Sequence, residues 1–173
     1  MLFLIILAGA FLVALVVPSR GGRRPVRGAA RLAMAAAMAF AGASHFAIPE
    51  PFVQHLPEWV PNRLAIIYAT GVVEILLGAG LVGPARYRRH VALALAAYLV
   101  AVFPGNIYVA VAGVDVEGQP GGVYPWLRLA FQPLFVWWAL WSTPEEAGDR
   151  HQARPGTRVG QLGARLPGSA ASR

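Results

Sequence analysis

The chain has 173 residues, of which 57% are hydrophobic and only 13% are charged, and its mean hydropathy is +0.53. Soluble domains carry roughly 25% charged residues, so this composition excludes an ordinary soluble domain and predicts several apolar segments in contact with lipid. The formal net charge is +7, but the arginines lie in short runs between apolar segments, which excludes a nucleic-acid-binding groove.

Five apolar segments have the length of membrane-spanning helices, for which roughly 20 residues are needed, with 17–25 as the usual range. The first lacks the positive start and the small-residue cleavage site of a signal peptide, so a retained anchor is favoured over a cleaved leader. In chain order the predicted spans are Met1–Val17, Ala29–Ala47, Leu64–Gly83, Val91–Ala112 and Trp126–Ser142.

The distribution of arginine predicts the orientation of these spans. Thirteen of the fifteen arginines fall on one side of a five-span arrangement, and only Arg63 and Arg128 lie near the other face. Because basic residues are enriched in cytoplasmic loops, we expect a multi-pass protein of the bacterial cytoplasmic (inner) membrane, with its N-terminus outside and its C-terminus in the cytoplasm.

The segments between the spans define three regions. Residues 1–28 form an N-terminal transmembrane anchor with a basic cytoplasmic loop, residues 29–142 form a four-helix membrane domain, and residues 143–173 form a basic cytoplasmic tail that we expect to be disordered. The outer loop "IPEPFVQHLPEWVPN" (Ile48–Asn62) contains four prolines, so a short ordered cap on the membrane surface is predicted.

Polar residues of the four later spans are concentrated in the outer half of the membrane. Glu74 lies ten residues past Leu64 and therefore about 15 Å along its helix, at 1.5 Å per residue. Such groups avoid lipid and face the bundle interior or a water-filled cavity. We therefore expect Glu74 to be buried and either paired or protonated, with Arg128 or Asn106 as the candidate partner. The candidate buried polar or ligand-binding residues are His45, Glu74, Asn106, Arg128 and Gln132.

These residues do not predict an enzyme. Cysteine is absent, which excludes thiolate catalysis and cysteine-based metal binding, and the histidines and carboxylates lack metal-ligand spacing. No set of nucleophile, base and orienting residue is present, so no catalytic residue and no metal site is predicted. For Glu74 a structural pairing is the favoured interpretation, and a proton, ligand or partner role stays open.

Several local patterns occur together in a defined order. They are "FAGASHFAIPEPF" (Phe40–Phe52), "LPEWVP" (Leu56–Pro61), "TGVVEILLGAGLV" (Thr70–Val82), "VFPGNIYVA" (Val102–Ala110) and "WLRLAFQPLFVWWALW" (Trp126–Trp141). The set resembles the DoxX-like family of small bacterial integral membrane proteins. The resemblance covers about Ala35–Ser142 and leaves the N-terminal span and the basic tail outside the match.

The resemblance implies an all-α fold, a four-helix integral membrane bundle preceded here by one extra N-terminal transmembrane helix. It also implies a non-catalytic membrane subunit or accessory of a redox (oxidoreductase) system, with an oxidoreductase as partner protein and a quinone as candidate cofactor. The polar residues themselves favour an alternative function, which is a bundle that binds or transports a quinone or a lipid-like small molecule in a polar cavity. The lipid bilayer is the other expected partner, and nucleic acid is not.

Overall fold

The computed structural model describes residues 2–18 and 25–143. Within these ranges the chain is all-helical, with six helices and no strand. The predicted tail lies outside the described residues except for Thr143, as do the arginines at positions 20, 23 and 24 of the first basic loop. The helices are α1 (Leu2–Val16), α2 (Val26–Ala47), α3 (Glu50–Val53), α4 (Arg63–Val82), α5 (Ala85–Ala112) and α6 (Tyr124–Trp141).

Proline and glycine set most of the helix ends. Ile48 leaves the helical region at φ −142° because Pro49 follows it, and α2 ends there. Gly113 ends α5 with a left-handed φ of 64°, which glycine adopts without the steric cost that a Cβ brings. The cap loop between α2 and α4 consists of α3 and tight turns, which confirms an ordered segment.

The five long helices share one apolar core. Leu7 of α1 is 1% exposed and packs with Met34 and Met38 of α2, Leu95 of α5 and Ala139 of α6. The first helix therefore packs into the same core as the later helices. Its aromatic contacts are edge-to-face pairs with α6, namely Phe3 with Phe135 and Phe11 with Trp138.

The outside of the bundle is apolar as well. Large hydrophobic side chains are exposed on α1, α4 and α5, among them Leu12, Leu76 and Val111 at 62%, 64% and 70%. By length and composition, two helices of the described part, α4 and α5, are long and apolar enough to cross a membrane. In the most apolar windows of α4 and α5 only 22% and 28% of the residues are buried, so most of their apolar side chains face outward. The apolar helix α1 is shorter.

Candidate functional site

Two glycines bring α2 and α4 into backbone contact beside the predicted polar residues. A Cβ on Gly42 would lie 2.6 Å from the carbonyl oxygen of Gly71 and 3.1 Å from Cβ of Glu74. A Cβ on Gly71 would lie 2.8 Å from Cβ of His45. Only glycine allows this approach, and it places His45 next to Glu74 across the two helices.

His45 is buried, and its hydrogen bonds define its neutral tautomer. Nδ1 lies 3.1 Å from the carbonyl oxygen of Ile67, which can only accept, so Nδ1 donates. The Thr70 hydroxyl donates to the same carbonyl at 2.8 Å and lies 3.2 Å from Nδ1. Nε2 of His45 therefore points away from α4's backbone and faces Oε2 of Glu74 at 3.8 Å.

Glu74 has one hydrogen-bonded oxygen and one without a partner. The Tyr98 hydroxyl of α5 donates to Oε1 at 2.8 Å. Oε2 is buried and has no hydrogen-bond partner within the described part of the chain. The 3.8 Å between Nε2 of His45 and Oε2 of Glu74 is too long for a direct hydrogen bond. One polar group that hydrogen-bonds to both atoms can bridge them. The expectation that Arg128 or Asn106 pairs with Glu74 is wrong, because Glu74 accepts its hydrogen bond from Tyr98 while Arg128 donates to Asn106.

Arg128 joins α6 to three other segments. Nη1 donates to Nε2 of His55 at 2.6 Å and to Oε1 of Gln119 at 2.7 Å, and Nη2 donates to Oδ1 of Asn106 at 3.0 Å. His55 belongs to the cap loop, Gln119 to the loop before α6, and Asn106 to α5. One side chain thus closes the end of the bundle under the cap.

His55 is held neutral by its surroundings. Its Nδ1 donates to the carbonyl oxygen of Pro51 at 2.7 Å, so Nε2 is left as the acceptor for Arg128. Burial, and to a smaller extent the nearby positive charge of Arg128, lowers the pKa of His55 from 6.5 to about 4. A proton on Nε2 would both remove this hydrogen bond and place two cations in contact.

Acidification is therefore expected to destabilise the cap. Between about pH 6.5 and 4 the unfolded chain takes up a proton at His55 that the folded chain does not, so stability falls as the pH falls through this window. The full difference amounts to about 3 kcal/mol. Thermal unfolding at pH 7 and pH 4.5 measures most of this loss, and His55→Gln is expected to reduce it. The control is His90→Gln on the exposed start of α5; equal pH dependence in both variants would contradict the prediction.

Gln132 connects α6 to α5 deeper in the bundle. Its side chain is 7% exposed, and Nε2 donates to the carbonyl oxygen of Leu99 at 2.6 Å. This acceptor lies one residue before Val100, whose carbonyl has no helical donor because Pro104 lacks an N–H.

Apart from Gln119, the polar side chains described above line one cavity of about 740 Å³ beneath the cap loop. This volume suits a small organic molecule, and most of the lining is apolar. The five residues predicted from the sequence meet there, together with three that the sequence analysis missed: His55, Thr70 and Tyr98. Tyr98 precedes Asn106 by eight residues and so shares a face of α5 with it. This spacing could have predicted Tyr98 from the sequence. His55 carries no such signal.

Among the described residues no group of three or more histidine, cysteine or acidic side chains has the arrangement of a metal site. A family model described as Domain of unknown function (DUF8561) matches residues 34–143, more than half of the chain. The matched segment begins in α2 and includes every polar residue of the cavity. Comparison with curated proteins and with solved structures gave no match.

Proposed function

We propose that this chain, which belongs to the family of Domain of unknown function (DUF8561), is a multi-pass membrane bundle that binds a small amphipathic molecule in the cavity beneath its cap. The observation that carries the proposal is the convergence of polar side chains from four helices and the cap loop on one largely apolar cavity. Isolated polar groups inside a membrane are costly, so their collection at one site favours a function there.

The exposed surface supports the membrane location. A soluble monomer rarely exposes large continuous apolar areas, whereas α1, α4 and α5 carry exposed leucine, isoleucine and valine along their length. We place α1, α2, α4, α5 and α6 across the bacterial inner membrane. The arginine distribution supports an N-terminus outside and a C-terminus in the cytoplasm, which puts the cap loop and the cavity on the outer side.

Cysteine labelling tests this orientation without background, because the chain has no cysteine of its own. Asp115→Cys changes an exposed position in the loop before α6, and Tyr87→Cys changes an exposed position near the start of α5. With a membrane-impermeant maleimide, we expect the first variant to react in intact cells and the second only after permeabilisation. The reverse pattern would refute the orientation, and labelling of both in intact cells would refute the number of spans.

The ligand is expected to depend on Glu74. Glu74→Gln keeps the shape of the side chain and an acceptor for the Tyr98 hydroxyl, but it removes the charge and the second acceptor oxygen. Mass spectrometry of protein purified gently in nanodiscs should then show a small molecule that the wild type retains and the variant loses by about tenfold or more. Glu58→Gln, at an exposed position of the cap loop, is the matched control.

Equal loss of folded protein and of ligand in Glu74→Gln would instead favour a purely structural role for this residue. Retention of the same small molecule by both variants would remove Glu74 from the binding site. Melting temperatures measured on the same samples separate these outcomes.

A second function is supported by the DoxX-like motifs, which lie in α2, the cap loop, α4, α5 and α6. In this alternative the bundle is a non-catalytic membrane subunit of a redox system, and a quinone is the molecule in the cavity. The same purification tests it, because a stoichiometric oxidoreductase should then accompany the protein. Unchanged respiratory and redox activity in a deletion strain would reject the alternative.

A further inference from the structure

We infer that the ligand of the cavity is an amphipathic anion, with a carboxylate or phosphate headgroup at Arg128 and an alkyl chain along the apolar wall. This inference rests on the proposed function and adds the charge of the ligand to it. It depends on the uncompensated charge of Arg128, on the separate pairing of Glu74 and on the shape of the cavity.

The three hydrogen-bond partners of Arg128 are all neutral. Gln119 and Asn106 contribute amide oxygens, and His55 contributes an unprotonated nitrogen. Neutral acceptors satisfy the N–H groups of a guanidinium but do not offset its charge, which a partly buried position makes costly. An anionic headgroup at this end of the cavity supplies that offset.

Glu74 is the carboxylate that lines the cavity, and it does not offset the charge of Arg128. Across the described residues, Glu74 is the only acidic side chain within 4.0 Å of a basic side chain, and that neighbour is the His45 ring at 3.8 Å rather than Arg128. Its other oxygen accepts the Tyr98 hydroxyl. The cavity therefore has two polar regions, one around Glu74 and His45 and one around Arg128. Within residues 2–18 and 25–143, no carboxylate lies within 4.0 Å of the Arg128 guanidinium.

The rest of the cavity wall suits an alkyl chain. Beyond Arg128 along α6 the lining continues with Phe131 and Phe135, and Met38 and Leu99 contribute from α2 and α5. Phe131 and Phe135 follow Arg128 by about one and two turns of α6, so the apolar path runs away from the cap and into the bundle. A single-chain amphiphile matches this order, with its headgroup under the cap and its tail inward.

The test compares four probes with the same twelve-carbon chain, added to full-length protein in phosphatidylcholine nanodiscs at pH 8. They are dodecanoate, dodecyl phosphate, dodecanol and dodecylamine, and tryptophan fluorescence titration gives each Kd. We expect one or both anions to bind about tenfold or more tightly than dodecanol, as an added charged hydrogen bond implies. Preference for the carboxylate or for the phosphate then separates a fatty-acid source from a phospholipid source.

Two variants assign the effect to Arg128. Arg128→Gln should remove the preference for the anions, whereas Arg63→Gln, at the start of α4 and outside the cavity lining, should keep it. Asn106→Asp provides a second route that does not remove the arginine. It places a carboxylate 3.0 Å from Nη2 of Arg128, where the amide oxygen now lies, and so fills the role assigned to the ligand. We expect it to lower the affinity for the anions about tenfold relative to the affinity for dodecanol in the same variant.

Each remaining outcome counts against the inference. Equal affinity for dodecanol and the anions, unchanged in Asn106→Asp, overturns the anionic headgroup and leaves the proposed amphiphile-binding function standing. Tightest binding of dodecylamine also overturns it and assigns the headgroup to Glu74. If none of the four probes binds, both the inference and the proposed function fail. Should Arg128→Gln not fold, Asn106→Asp decides the question alone.

Discussion

Gly42→Ala is expected to destabilise the folded bundle by about 2–3 kcal/mol, because the added methyl group meets backbone that cannot move aside. Its Cβ would lie 2.6 Å from the carbonyl oxygen of Gly71 and 2.7 Å from a side-chain carbon of Ile75. A flexible side chain can yield to such a contact, but a carbonyl within a helix cannot. The two helices must separate, and His45 then moves away from Thr70 and Ile67.

Thermal unfolding and gel filtration in detergent measure this loss. Gly9→Ala is the matched control, since Gly9 also lies inside an apolar helix but an added Cβ meets nothing within 4 Å. The control is expected to be neutral or slightly more stable, because alanine favours a helix more than glycine does. If both variants melt at the wild-type temperature, α2 and α4 do not approach each other as closely as the 2.6 Å contact at Gly42 requires.

Arg128→Met is expected to cost about 3 kcal/mol of stability, because three acceptors lose a charged donor at once. His55, Gln119 and Asn106 all lose their bond to the guanidinium, and they belong to three different segments. Methionine keeps most of the length of the side chain, so the loss comes from hydrogen bonding and charge rather than from volume. The cap loop should then open before the helices do.

Limited proteolysis together with thermal unfolding distinguishes local opening of the cap from loss of the whole bundle. Earlier cleavage near His55 at an unchanged helical content is the expected result. Arg63→Met is the control: its guanidinium makes a single long bond of 3.5 Å to the carbonyl oxygen of Leu56, and we expect a loss below about 1 kcal/mol. Equal losses in the two variants would argue against a special role for Arg128.

The helices themselves follow from local sequence. Each predicted span corresponds to a helix, with ends that differ by up to six residues; the largest difference is at the start of α5, which begins at Ala85 rather than Val91. The apolar window set the predicted start, whereas Arg86, Arg88 and Arg89 extend the helix beyond it. A basic turn is compatible with a helix, so hydropathy alone places this boundary too late.

The position of α1 is a second feature that local patterns do not give. The motifs that resemble the DoxX-like family begin in α2, so the first helix is predicted as an addition to a four-helix domain. In the structure Leu7 lies in the common core and Phe3 packs on Phe135 at a ring distance of 4.9 Å. Hydropathy shows that a segment is apolar but not which of its faces packs on protein.

The sequence by itself determined that the chain is helical and apolar and that its polar groups gather toward one end of the bundle. Runs of apolar residues and the position of a residue within such a run can be read directly from the sequence. Only the tertiary structure decided the partners: Glu74 with Tyr98, and Arg128 with Asn106, Gln119 and His55. The physical reason is that successive side chains of an α-helix point in directions about 100° apart around its axis. Which side chains of two helices meet therefore depends on how each helix is rotated about its axis in the bundle. The close contact of Gly42 with Gly71 fixes that rotation between α2 and α4, and only packing in three dimensions reveals it.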